Sequence, residues 1–555
     1  MHAEQHVEEA ADAVQSSRLP TPEPRLDAGN KDHDHYARRL PAWRNSLRKT
    51  LIPVVRWETP YLALLQEKVR TPALDSYFAY TANLGTHTFY MVFLPILFWC
   101  GHTHLGRAMV HMLAAGIYFS GVLKDMLCLP RPLSPPLYRI TMSGSAALEY
   151  GFPSSHSTNA VSVAMYCIHL LRSTAEQHHP NVYLGLQLLA YFFAATIVFG
   201  RLYCGMHGFL DVIVGSLLGA VLGQIQIVYG HTFDLWIAQG NVTPTLIALL
   251  VILVLIRTHP EPADDCPCYD DTIAFAGVVM GVQLGAWHFS QSRYSIDTPI
   301  PSTVHFDFHH LGLLKTTLRI ALGVLIVFVW RAIMKPALLK ILPPIYRVLE
   351  RVRMLIPRAF FLNASNYTSV PHLHGDDNLI PPASEIPHML NNLVHPRKRA
   401  VSVGPQSAAD AYETLAYRNR RRRESLKSAE GTPIPKRSSP SPTGRQAHKG
   451  AVFGADLLPT PAASRVQSLE QMMGTGKVSL GLLTPPKDSD YVERGARMPN
   501  TDLEDEKREL FDQLTKPRVR YDVEVVTKLI VYGGIAWLAV EGNPILFECI
   551  GLGMR

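Results

Sequence analysis

The chain has 555 residues, 47% of them hydrophobic, with 53 Lys and Arg against 46 Asp and Glu and a formal net charge of +7. That length admits several domains, and a basic excess carried by local clusters fits a membrane surface or an anionic ligand better than a nucleic acid. The seven cysteines form no CxxC pair and have no histidine at zinc spacing, which argues against a disulfide framework or a zinc module.

Residues 1–50 are rich in Glu, His, Arg and Pro without an apolar core, so a disordered N-terminal region is expected and no cleavable signal peptide is visible. Its cluster Arg38, Arg39, Arg44, Arg48 and Lys49 suits solvent or lipid headgroups. Residues 51–84 read as an amphipathic or partly membrane-buried segment, with Trp57 and Tyr61 placed for an interface. Apolar runs then recur at Thr88–Cys100, Met109–Leu123, Ala160–Leu171, Leu184–Phe199, Val212–Tyr229, Thr243–Ile256, Thr272–Trp287, Ile320–Met334 and Leu529–Val540. Several are shorter than the roughly 20 residues that cross a bilayer and need their weakly polar flanks to do so. The expectation is an all-α, polytopic transmembrane helical bundle of 8 or 9 spans. Residues 85–230 form its candidate catalytic core and 231–350 its additional spans. Residues 351–515 turn to Pro, Ser, Thr and charge and read as a disordered linker, and 516–555 hold a final span.

Cys266 and Cys268, and the group His305, His309 and His310, read as incidental loop residues rather than metal ligands. Arg420 to Arg423 is a basic run for which no nucleic-acid partner is expected. Ser/Thr-Pro pairs begin at Thr432, Ser439, Ser441, Thr460 and Thr484, and sequons at Asn363 and Asn366. The former are phosphorylation candidates and the latter glycosylation candidates.

Three short islands carry the chemistry. The first is Lys124 with Arg131-Pro132, the second Pro153-Ser154-Ser155-His156, and the third Arg201 with His207 and Asp211. Lys124, Arg131 and Arg201 supply fixed positive charge for phosphate oxygens. Ser154 and Ser155 stand where a helix begins, so their hydroxyls and free backbone N–H groups form a phosphate cradle. His207 and Asp211 share a helix face, so the carboxylate is expected to orient the ring while His207 attacks phosphorus. His156 is the expected general acid, and later the base that activates water. Ionisable groups beside apolar runs are costly and point to function. The order of spans returns all three islands to one side of a membrane.

The pattern resembles the type 2 phosphatidic acid phosphatase superfamily, with its motifs Lys-x6-Arg-Pro, Pro-Ser-Gly-His and Ser-Arg-x5-His-x3-Asp. Here Ser155 replaces the motif glycine and Gly200 the motif serine; neither change removes an ionisable group. The resemblance implies a helical, metal-independent phosphatase that works through a phosphohistidine and needs no cofactor. The spans after the third motif, the Arg201 to His207 wording and the stretch from Tyr521 to Gly553 look most like fungal sphingoid-base-phosphate phosphatases. That likeness implies a multi-pass endoplasmic reticulum protein with a lipid phosphate substrate, long-chain base 1-phosphates, and names no protein partner. The alternatives are a phosphatase of phosphatidate or dolichyl diphosphate, or a non-catalytic phosphate-lipid-binding protein or transporter.

Overall fold

In a computed structural model of the chain, the described residues are 28–82, 87–134, 136–140, 149–238, 240–354, 358–370 and 519–554. The chain divides into a unit of Leu26–Leu133, Leu137–Gly404 and Pro517–Arg555, and another of Met1–Arg25, Ser134–Pro136 and Pro405–Lys516. The helices and strands belong to the first unit. Most of the expected N-terminal and linker disorder, Arg420 to Arg423 and all five Ser/Thr-Pro pairs lie outside the described residues.

The helices are α1 (His33–Arg39), α2 (Ala42–Val69), α3 (Pro72–Thr81), α4 (His87–Trp99), α5 (Thr103–Leu127), α6 (Ser155–Ser173) and α7 (Pro180–Tyr203). They continue as α8 (Phe209–Ile237), α9 (Thr243–Thr258), α10 (Cys268–Ser290), α11 (Phe308–Arg351), α12 (Val523–Trp537) and α13 (Asn543–Cys549). A π-helical turn over Leu538–Gly542 joins the last two. Within α11 the chain bends at Gly312, whose φ of 69° lies in the left-handed region that favours glycine.

Among the described residues, five helices are long and apolar enough to cross a membrane: Pro180–Tyr203, Phe209–Ile237, Cys268–Ser290, Phe308–Arg351 and Val523–Cys549. The first has a mean hydropathy of 1.9 with only 6% of its apolar window buried, so Leu184, Leu188, Leu189 and Phe192 face outward. Water does not tolerate such a surface, whereas lipid does. The protein is therefore a multi-pass membrane protein. The expected 8 or 9 spans are not reached by this measure because the apolar helices Phe89–Trp99 and Thr243–Thr258 are short and because α5 and α6 carry Arg107, Lys124, Asp125 and a run of buried Ser, Thr and Asn. Their hydropathy is lowered by the polar groups they carry inside the bundle.

Residues 28–50 depart from the expected disorder. Arg44 donates to the carbonyls of Asp125, Met126 and Glu261, and Arg48 donates to Gly29 and Cys128 while lying 3.5 Å from the centre of the Tyr36 ring. These arginines are buried and staple α2 onto the end of α5 rather than facing headgroups; a basic composition alone does not show that carbonyls await it. The outer face of α2 leaves Trp57, Tyr61 and Leu64 exposed.

The start of the expected 351–515 linker is ordered as well. Phe361–Leu362 (β3) runs parallel to Arg520–Tyr521 (β4), pairing Phe361 with Arg520 and Leu362 with Tyr521. Ser295–Ile296 (β1) and Thr303–Val304 (β2) form an antiparallel pair. The main apolar core gathers Phe98, Trp99, Leu113, Val282, Ala286, Val327, Ile535, Val540 and Phe547 from α4, α5, α10, α11 and the last helices.

Candidate active site

Two devices bring the islands together. On α8, Gly215, Gly219 and Gly223 recur every fourth residue and face Ser154, Thr158 and Ser162 of the second island and its helix. A Cβ at Gly215 would lie 2.6 Å from the Ser154 carbonyl oxygen, and one at Gly219 2.2 Å from that of Thr158. Only glycine lets the backbones approach so closely. The second device is loop on loop. Gly151 donates its N–H to the Leu129 carbonyl at 3.0 Å, and a Cβ there would meet the Pro130 carbonyl at 2.9 Å. Residues 149–151 therefore lie flat against the first island.

Lys124 sits one turn before the end of α5 and is 2% exposed. Its Nζ donates to Ser155 Oγ at 2.9 Å and pairs with the Glu149 carboxylate. Ser155 Oγ is also 2.8 Å from Ser120 Oγ. The Arg131 guanidinium donates from NH1 to the Met206 carbonyl at 2.7 Å and to His207 Nε2 at 3.3 Å. Its NH2 donates to Glu149 Oε2 at 2.8 Å, and its Nε to the Glu149 carbonyl at 3.0 Å. Arg201, at the end of α7, is buried with its Nε lacking a hydrogen-bond partner. An unpaired buried guanidinium donor is costly unless an anion meets it. His156 is partly exposed and lies within electrostatic reach of Arg201, Glu149, Lys124 and Arg131. The three islands are thus one cluster.

Ser154 plays a different part from the phosphate contact expected of it. Its Oγ accepts from the N–H and the hydroxyl of Ser157, capping α6, so of the two serines Ser155 is the one that touches a cation.

His207 departs from expectation in what holds it. Its Nδ1 is 2.8 Å from the Gly151 carbonyl, which can only accept, so Nδ1 carries the proton. Arg131 donating to Nε2 requires the same tautomer. Asp211 Oδ2 is 3.6 Å from Nδ1, beyond a hydrogen bond, and instead accepts the Gly208 N–H at 2.8 Å. The shared helix face is real, but α8 starts at Phe209, so Asp211 is the third residue of the helix and turns back to cap it. Asp211 thus acts on the ring through its charge and through the backbone. Burial first, then Arg131, Lys124 and Arg201, holds the His207 imidazole well below the usual histidine range, so the ring is neutral with its Nε2 lone pair beside the cations.

Sequence reasoning missed Glu149, Gly151 and Glu58. Burial raises the Glu149 carboxyl, but Lys124 and Arg131 outweigh it and bring it down to about 2. Glu58 on α2 accepts the Leu210 N–H at 2.8 Å, capping α8 from outside. The only hint for Glu149 and Gly151 was adjacency to the second island, and an acid there runs against the logic of an anion site.

Among the described residues, Asp125, Cys266 and Cys268 form the group able to hold a metal, with ligand atoms within 4.8 Å of one another and all three buried. The two thiols are thus paired with Asp125 rather than isolated in a loop. Neither His207 nor His156 belongs to that group.

Residues 105–233 match the PAP2 superfamily model, a range that spans all three islands. The chain is 41% identical over 317 residues to a dihydrosphingosine 1-phosphate phosphatase of Schizosaccharomyces pombe, covering 57% of this chain and 75% of that protein. The chain belongs to the PAP2 superfamily. A second relative, a dihydrosphingosine 1-phosphate phosphatase of Saccharomyces cerevisiae, is 36% identical over 55% of this chain and 73% of its own. Mouse sphingosine-1-phosphate phosphatase 2 is 30% identical over 49% of this chain and 76% of its own. No solved structure matches.

Proposed function

We propose that this PAP2 protein hydrolyses sphingoid long-chain base 1-phosphates, dihydrosphingosine or phytosphingosine 1-phosphate, to the free base and inorganic phosphate in the endoplasmic reticulum membrane. The observation that carries the reaction is the His207 tautomer: Nδ1 bound to the Gly151 carbonyl and an unprotonated Nε2 that accepts from Arg131. The substrate class is supported by the names of the relatives above.

In this reading Lys124, Arg131, Ser155 and Arg201 hold the phosphate oxygens, with Ser154 fixing the turn that presents Ser155. Nε2 of His207 attacks phosphorus as the ester P–O bond breaks, and His156 gives a proton to the departing alkoxide. The imidazolium that results keeps its Nδ1–H on the Gly151 carbonyl and is stabilised by the Asp211 charge. Water then attacks the phosphohistidine while His156 takes its proton, releasing phosphate and restoring His207. Fixed donors around the transferring phosphoryl group each lower the barrier by on the order of 3 kcal/mol.

A cavity of about 500 Å³ opens between α6, α7 and α8, the helices that carry the second and third islands, lined by Val161, Ala164, Ile168, Ala194 and Ile227 and, on its polar side, by His169, Arg172 and Gln224. It offers the alkyl chain a path within the bilayer. Adding α5, α6, Phe89–Trp99 and Thr243–Thr258 to the five apolar helices gives nine crossings, the upper end of the count expected from sequence.

The test is phosphate release by wild type and His207→Ala from a panel of dihydrosphingosine 1-phosphate, phosphatidate and dolichyl diphosphate. Preference for the sphingoid lipid with loss in the variant is expected; unchanged turnover in His207→Ala sinks the mechanism. Sidedness has its own readout. Arg358 donates to the His259 carbonyl at 3.2 Å, and His259 lies beside Asp125, so the exposed Asn366 is at the site end of the bundle. A glycan on Asn366 therefore places the active site in the lumen, and an unmodified Asn366 in a protein glycosylated at an engineered site on the opposite end places it in the cytosol.

A further inference from the structure

Glu149 is unexplained by phosphate hydrolysis. A carboxylate bridging Lys124 and Arg131 weakens the hold of those cations on a phosphate, and a dianionic phosphate brought beside it is repelled. Yet it is built in. The backbone carbonyl of Glu149 is itself held by Arg131, and among the described residues Glu149 is the carboxylate that touches Lys124 or Arg131. Its side chain is 29% exposed, where those of Lys124 and Arg131 are 2% and 3%. It therefore stands at the mouth of the cradle, between the buried cations and the approaching substrate.

We propose that Glu149 is a specificity-determining residue whose carboxylate binds the ammonium group that a sphingoid base carries on the carbon next to its phosphate ester. The proposal rests on the function given above. When phosphate takes the two cations, the carboxylate loses both partners in a partly dehydrated site, a costly state unless another cation arrives. A sphingoid-base phosphate delivers anion and cation on adjacent positions of one molecule, so each displaced charge finds a new partner. Phosphatidate delivers the anion alone and leaves Glu149 unpaired beside it. Held by Lys124 and Arg131 before substrate arrives, the carboxyl is ionised. Charge rather than chain length then decides the headgroup.

The experiment compares dihydrosphingosine 1-phosphate with its desamino analogue, the same chain with hydrogen in place of the amino group, on the full-length protein in detergent micelles. Wild type is expected to prefer the amino lipid in kcat/KM by roughly 10- to 100-fold, the range of a charge-assisted hydrogen bond. In Glu149→Gln, which keeps shape and loses charge, that preference is expected to fall to within about threefold of unity, because the amino lipid loses far more than the desamino lipid. A merely structural role lowers both lipids by the same factor and leaves the ratio intact, which overturns the proposal, as does a wild-type ratio near one. Should Glu149→Gln be inactive on both lipids, Glu149→Asp withdraws the carboxylate by one methylene and is expected to cut the preference severalfold; an unaltered preference again counts against the idea. Wild type that hydrolyses phosphatidate and leaves dihydrosphingosine 1-phosphate untouched overturns the function itself. Wild type that hydrolyses the sphingoid lipid without preferring its amino form overturns only the role of Glu149.

Discussion

Two helix pairs in this protein use the same packing device for different ends. In α6 and α8, Gly215 and Gly219 press against the backbone of Ser154 and Thr158; in α10 and α12, Gly281 presses against Gly533, where a Cβ would lie 2.1 Å from the carbonyl oxygen. The second contact lies among Phe275, Val282, Ala286, Val531, Ile535 and Ala536, an apolar seam that dispersion holds. The first is lined by hydroxyls, and Ser154, Ser157, Thr158 and Ser162 all bond within their own helix or cap. Close approach therefore builds structure in both pairs. It builds a site only where the helix ends carry His156 and His207, because ends alone leave backbone groups and side chains free to meet a ligand.

Substitutions that strike one seam and spare the other test this contrast. The largest effect is chemical: His207→Ala is expected to lower kcat at least about 10⁴-fold with the fold retained, and alkaline quenching should trap labelled phosphoenzyme in wild type alone. Next comes Gly219→Leu, which forces α6 away from α8 and is expected to cost about 100-fold in kcat/KM, since small misplacements of a site are that expensive. Gly281→Leu, equally overpacked, is expected to destabilise by about 1–3 kcal/mol while the molecules that fold keep their kcat. Equal losses of turnover in the two glycine variants would show that the seams are not functionally distinct.

The seams differ in how far the sequence revealed them. Lys124, Arg131, His156, Arg201 and His207 were legible because charge beside apolar runs is too costly to be idle, and the order of spans alone brought them to one side. The helical class was legible from the same runs. The partner of His207 was not, since a carbonyl belongs to no residue type: Gly151 looks like any glycine until its N–H is seen on Leu129. Asp211 was read from helix periodicity, which gave the right face and missed that the third helical residue turns back to the cap. Arg44 and Arg48 look like headgroup ligands in sequence, and only the fold supplies the carbonyls that bury them. The pairing of Phe361 with Arg520 spans a long stretch of chain and leaves no local signature.

A smaller effect separates the neutral ring from an ordinary histidine. Because burial and the surrounding cations depress the His207 pKa, the ring proposed as nucleophile stays unprotonated as pH falls and is lost only when pH drops through the depressed value. The acid limb of kcat/KM, corrected for ionisation of the substrate phosphate, is expected well below pH 6.5. A limb centred at or above that value means that the cations do not set the charge of the ring.

The smallest expected effect concerns the outer support of the site. Glu58 reaches from α2 to the Leu210 N–H, and a Cβ on Gly208 would lie 2.0 Å from Glu58 Oε2, so the carboxylate packs directly against the turn that presents His207. It touches no reacting atom and is a positioning residue. Glu58→Gln keeps one acceptor for the N–H but removes the charge that favours a helix N-terminus, with an expected stability loss of about 1 kcal/mol. Turnover should fall only a few-fold, through kcat rather than KM, because Lys124, Arg131 and Arg201 stay in place while the His207 nitrogen proposed to attack is less well aimed. A rise in KM with constant kcat would instead make α2 part of the lipid-binding surface, and the exposed Trp57 and Tyr61 on its other face would then be the residues to change next.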